Sequence, residues 1–114
     1  VPMVVTFDGP RVVVGEQTLT TRPLRIAAGS DAFAPGQTFA ERLDALPDAQ
    51  IELREVVPNP EAESVAPLAL CGGAVPETLA LLHRQDTVDL MLFAHATEAT
   101  SLGEPCVVVA LKAP

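Results

Sequence analysis

The chain has no tryptophan, no tyrosine and four phenylalanines, so sites that work by stacking a ligand on aromatic rings are not expected. Basic residues are also scarce, with seven Lys and Arg against fifteen Asp and Glu, and the formal charge is -8. Such a charge repels phosphate backbones and anionic lipid headgroups. We therefore expect neither nucleic acid nor a membrane as a partner.

Long apolar runs are missing too. No segment approaches the roughly 18 to 20 residues that span a bilayer, and the N-terminus lacks the basic and apolar regions of a signal peptide. The two cysteines, Cys71 and Cys106, lack the CxxC spacing of zinc or redox sites. These absences predict a soluble cytoplasmic protein in which both cysteines are free, buried thiols.

What the chain has in quantity is aliphatic residues. At 114 residues and 48% hydrophobic content it has enough apolar surface for one core, and we predict a single domain over residues 1–114. Leu43, Leu90 and Val108 are predicted core positions.

Strand patterns dominate the first half of the sequence. "MVVTFDGPRVVV" has two β-branched runs on either side of Asp8 and Gly9, which predicts an N-terminal hairpin. A short strand is expected over Leu24 to Ala28. The alternation of apolar and charged residues in "AQIELREVV" predicts a strand from Gln50 to Val57 with one solvated face.

Two helices are expected. Thr38 followed by Glu41 is a capping box, and an apolar stripe runs to Pro47, which predicts a helix near residues 38–46. Pro76 and Glu77 are typical of a helix start, and the leucines that follow predict a second helix over residues 76–85.

The segments "TVDLMLFAHA" and "PCVVVALKA" are nearly continuous apolar runs of strand length, as in central strands covered on both faces. The element order predicts an α/β fold, with α+β as the alternative. We expect one mixed sheet of about five or six strands, two main helices packed on it and the N-terminal hairpin.

The stretch "LCGGAVPETLALLH" raises the question of a reactive thiol. If a helix starts near Pro76, Cys71 precedes its positive end, and Gly72 and Gly73 allow backbone N–H groups to converge on an anion. The alternative is that the glycines make a turn and Cys71 is a small buried hydrophobic residue.

A nucleophilic cysteine needs a base. In the strand Thr87 to Ala96, His95 shares a face with Asp89, which makes Cys71, His95 and Asp89 the candidate catalytic set, with Glu98 as an alternative acid. In the competing interpretation His95 is structural. Neither a metal site nor a cofactor is predicted, since no ligand spacing or phosphate-binding motif matches.

Whether the chain is an enzyme stays open from the sequence. The favoured hypothesis is a non-catalytic, acidic interaction or assembly domain that acts through a protein surface, by binding a partner or by self-association. One alternative is a small thiol-dependent enzyme or acyl-group handler that uses Cys71 with His95. Another is an acidic inhibitor of a basic protein.

Overall fold

The computed structural model describes residues 3–59, 65, 67–94 and 102–113, and their regular secondary structure is almost entirely β. Seven strands form the main sheet, in the order β1-β2-β3-β6-β7-β8-β9. These strands are β1 (Val5–Asp8), β2 (Arg11–Val14), β3 (Gln17–Ala28), β6 (Gln50–Val57), β7 (Thr78–His83), β8 (Thr87–Phe93) and β9 (Val107–Lys112). A second, small sheet contains β4 (Ala32–Ala34) and β5 (Gln37–Thr38), followed by the helix α1 (Phe39–Leu43).

All six pairings in the main sheet are antiparallel, and the sheet curls until its two end strands meet. Val4, just before β1, forms a parallel bridge with Lys112 of β9, and the Lys112 N–H donates to the Met3 carbonyl at 2.9 Å. An odd number of antiparallel strands places the first and last strands parallel, as this bridge requires. The sheet therefore approaches a closed barrel.

Buried side chains form two clusters, one on each face of the sheet. The inner cluster draws on all seven strands and is enclosed by the curl of the sheet. The outer cluster lies between β3, β6, β7 and β8 on one side and the β4–β5 hairpin with α1 on the other. The Phe33 ring contacts the rings of Phe39 and Phe93 there, with centroid distances of 5.3 and 5.8 Å, respectively.

The predicted α/β fold with a mixed sheet and two main helices is wrong. Among the described residues the only α-helix is α1, which has five residues, and the ladders of the main sheet are antiparallel apart from the single bridge at Val4. The helix predicted over residues 76–85 is the strand β7. Leu79 and Leu81 enter the inner cluster while Ala80 and Leu82 enter the outer one, so each face of β7 is covered. A strand buried on both faces has no period-2 pattern, which is why its leucine run resembled a helix.

The start of the first predicted helix is confirmed but its length is not. The Glu41 N–H donates to the Thr38 hydroxyl at 3.2 Å, as the capping box predicts. The helix ends at Leu43 because Asp44 takes a left-handed conformation with φ 52°. The segment after the helix returns to the sheet, where the Gly29 N–H donates to the Ala49 carbonyl at 2.8 Å.

Several strand predictions are confirmed. The hairpin at Asp8 and Gly9 forms, and β6 runs from Gln50 to Val57. The strand predicted near Leu24 belongs to the twelve-residue β3, which bulges between Pro23 and Arg25. None of the helices in the described ranges is long and apolar enough to span a bilayer.

Candidate functional site

Cys71 and Cys106 form a disulfide, so the prediction of two free thiols is wrong. Cys71 ends a 3-10 turn (Ala69–Cys71), and Cys106 precedes β9. Their Cα atoms are 5.0 Å apart, a separation within the usual range for a disulfide. A cysteine in this oxidised form has no thiolate and cannot act as a nucleophile.

The glycines after Cys71 make a tight turn instead of an anion cradle. Gly72 and Gly73 have φ values of 65° and 89°, which glycine adopts readily. The Gly73 N–H donates to the Leu68 carbonyl at 3.0 Å, and the Ala74 N–H to the Cys71 carbonyl at 3.2 Å. Since the strand β7 follows, the helix start predicted after Cys71 does not form and no helix N-terminus is there to stabilise a thiolate.

Asp89 lies on the opposite face of the sheet from Cys71. It pairs across the ladder with Leu82 of the outer cluster, whereas Cys71 belongs to the inner cluster. Its carboxylate accepts a 2.7 Å hydrogen bond from Arg84, whose Nη2 also donates to the Leu43 carbonyl at 2.6 Å. Asp89 thus helps Arg84 to hold the last carbonyls of α1.

The structure does not bring Cys71 and Asp89 together. His95 and Glu98 lie outside the described residues, so their part in the catalytic set stays a prediction. Within the described ranges no group of three or more His, Cys, Asp or Glu side chains could hold a metal ion.

The structure instead shows an apolar groove that we call the Ile26–Leu46 groove. It consists of two adjoining, half-enclosed depressions of about 390 and 360 Å³ that share Ala49, Leu82 and His83. Ile26 lines the first depression and Leu46 the second. Their exposed fractions, 60% and 70%, are the highest among the large hydrophobic side chains of the described residues.

Close backbone packing places Leu46 beside β3. The Ser30 N–H donates to the Pro47 carbonyl at 2.8 Å. A Cβ added at Gly29 would lie 2.2 Å from the Leu46 carbonyl oxygen, so only glycine allows this approach. Gly29 therefore allows the segment after α1 to pack against the end of β3, and the groove is lined by this segment, β3 and the neighbouring ends of β6 and β7.

A polar cluster borders the first depression. Glu52 lines it together with His83, and the His83 Nε2 lies 2.8 Å from Glu52 Oε1. Because a carboxylate only accepts, Nε2 must carry the proton. Glu52 Oε2 accepts from Arg54 Nε at 2.8 Å. The Arg54 guanidinium lies 5.4 Å from the centre of the Phe7 ring, which also contacts the His83 ring at 5.3 Å.

The position of Glu52 changes its acidity. Partial burial by itself raises the pKa of Glu52, but the hydrogen bonds and positive charges of His83 and Arg54 outweigh that effect. The pKa lies below its ordinary value of 4.5 as a result. Glu52 is therefore ionised at neutral pH while its carboxylate is partly shielded from water.

In the sequence Glu52 is one of a run of acidic residues with Glu55, Glu61 and Glu63, and its residue type does not distinguish it from them. Glu55 is in an exposed ion pair with Arg22, while Glu61 and Glu63 lie outside the described residues. The one local signal was the Glu52, Arg54 alternation on β6, which placed both side chains on one face. Nothing local could join them to His83, which is 31 residues away.

No family model, no curated protein and no solved structure matches the chain.

Proposed function

We propose that this chain is a non-catalytic protein-interaction domain that receives an apolar side chain of a basic partner in the Ile26–Leu46 groove. The observation that carries the proposal is the pair of highly exposed side chains, Ile26 and Leu46, which line two depressions that share Ala49 and Leu82. Burial of an exposed Ile or Leu side chain contributes about 1.5 to 3 kcal/mol, and anchors of this kind dominate binding energies.

Charge selects the class of partner. Each copy of the chain carries a formal charge of -8, which opposes self-association and attracts cationic surfaces. We therefore commit to a different, basic protein instead of a second copy. If that basic partner is an enzyme, this chain would be its acidic inhibitor.

The disulfide bears on where such a domain works. Disulfides persist in oxidising compartments and are rare in the cytoplasm. The cytoplasmic location expected from the sequence stays a prediction, and the Cys71–Cys106 bond weighs against it.

Selection from a displayed library of random peptides tests the proposal. We expect selected peptides to carry an apolar residue near Lys or Arg and to bind more weakly as salt rises, because exposed charge pairs are screened. Binding should fall about tenfold or more in Ile26→Asp and in Leu46→Asp, given that 1.4 kcal/mol corresponds to a factor of ten. Val75→Asp is the matched control, since Val75 is 42% exposed and does not line the groove.

Two results would contradict the proposal. One is a library that yields no specific binder. The other is a set of binders whose affinity falls equally in Val75→Asp and Leu46→Asp, because the loss would then not come from the groove.

A further inference from the structure

We infer that Glu52 selects a Lys or Arg side chain next to the apolar anchor of the partner, and that this cation takes the place of His83 on Glu52 Oε1. The inference rests on the proposed function, because it assigns the chemistry of the same groove. It specifies the partner as an extended segment that carries an apolar residue and a cation close together.

One side of the Glu52 carboxylate is firmly held. Arg54 binds Oε2 through Nε. Its Nη1 donates hydrogen bonds to the Gly9 carbonyl and to the Thr21 hydroxyl, each at 3.3 Å. Its side chain is 14% exposed and lies over the Phe7 ring. Arg54 therefore fixes the carboxylate in position beside the groove, and displacing it would break four contacts.

The other side is exchangeable. His83 approaches Oε1 at 2.8 Å, but its side chain is 48% exposed and lines both depressions. His83 gives Oε1 one hydrogen bond, whereas an ammonium or guanidinium group offers several donors together with a full positive charge. A cation that enters the groove can replace it, while His83 keeps its contact with Phe7.

The surroundings of Glu52 favour it over the other acids near the groove. Its side chain is 26% exposed and faces Ile26 across the β3–β6 ladder, where charge interactions are less screened than in water. Asp44, which lines the second depression, is exposed, and ion pairs at such positions contribute little. Asp89 already binds Arg84.

The first depression limits how far apart the apolar residue and the cation can lie in the partner. Ile26, Leu82 and Glu52 all line it. In an extended chain two residues cover about 7 Å, so the apolar residue and the cation must lie within about two positions of each other.

The test uses the tightest peptide from the displayed library and versions of it in which the Lys or Arg is replaced by Ser, measured by fluorescence anisotropy. With the wild-type protein, replacing the cation should weaken binding about tenfold. In Glu52→Gln this difference should fall to less than about twofold. Glu55→Gln removes the same charge from the same strand outside the groove, and it should keep the full difference.

The outcomes separate this inference from the proposed function. If the cation preference survives in Glu52→Gln, or falls equally in Glu55→Gln, the inference is overturned while the groove can still bind an apolar anchor. Selected peptides without Lys or Arg would overturn it directly. If Leu46→Asp has no effect on any peptide, the proposed function fails first.

Thermal unfolding of both Gln variants checks that each is folded. Glu52→Asp, which keeps the charge, should retain part of the preference for a cation.

Discussion

Cys71 and Cys106 are joined across the fold although 35 positions separate them in the sequence. The bond ties the 3-10 turn before β7 to the start of β9, and the Cys106 N–H donates to the Leu92 carbonyl at 2.7 Å. This linkage fastens the segment around Leu68 over the inner cluster. It also removes the thiol on which a catalytic role for Cys71 would depend.

Loss of the disulfide should destabilise the protein. A cross-link that closes a loop of this length contributes about 2 to 4 kcal/mol, chiefly by restricting the unfolded chain. We expect a decrease of that size in the free energy of unfolding for the double variant Cys71→Ala, Cys106→Ala, measured by urea denaturation. Unreduced native protein should also resist alkylation at both cysteines. Rapid labelling of Cys71 without reductant would instead revive the thiol-enzyme hypothesis.

Acid should weaken the fold partly through Glu52. Because the folded state lowers the pKa of Glu52 below 4.5, its contribution to stability is present above that value and is lost as the pH falls below it. Glu52→Gln should therefore show a smaller fall in unfolding free energy than the wild type as the pH decreases below 4.5. Denaturation series at neutral and acidic pH provide the comparison, and identical slopes for the two proteins would refute this assignment.

Arg84 should contribute more to the stability of the fold than its partly exposed position implies. It joins Asp89 to the end of α1, and we expect Arg84→Ala to cost about 1 kcal/mol, below the full value of charged hydrogen bonds because the side chain is partly exposed. Arg22→Ala is the control, since its ion pair with Glu55 is exposed and its loss should change stability by less than about 0.5 kcal/mol. Equal losses in the two variants would mean that Arg84 does not anchor the helix.

The outer cluster should carry much of the stability. Phe93 is fully buried against Phe33, so Phe93→Ala should cost about 3 to 5 kcal/mol. Leu90, fully buried in the inner cluster, confirms one predicted core position. Val108 does not: it is 38% exposed, and Val108→Ala should cost under about 1 kcal/mol. Urea denaturation of the two Ala variants tests this difference, and a large loss at Val108 would show that its face of β9 is covered.

The groove should depend on Gly29. An added Cβ would clash with the Leu46 carbonyl, and we expect Gly29→Ala to cost about 1 to 3 kcal/mol because the segment after α1 must move. Peptide binding should weaken along with stability. Gly9→Ala is the comparison: its Cβ would meet no atom within 4 Å, so any cost there reflects backbone conformation alone and should leave binding intact. A Gly29→Ala variant with wild-type stability and affinity would show that this contact does not shape the groove.

Local patterns were sufficient for the hairpin at Gly9, the strand β6 and the cap of α1 at Thr38. Each depends on interactions among neighbours in the sequence: a turn that glycine allows, an alternation on a half-solvated strand, and a hydroxyl that binds an N–H three residues later. Composition likewise indicated an aliphatic core and an acidic surface.

The tertiary structure decided what depends on distant segments. Whether the leucines of β7 form a helix or a strand was settled by the layers on its two faces, which the segment itself does not encode. The Cys71–Cys106 bond, the contact of Glu52 with His83 and the approach of Leu46 to Gly29 all arise when the curling sheet brings remote residues together. A linear pattern records the chemistry of each residue, but contacts between strands depend on the path of the whole chain.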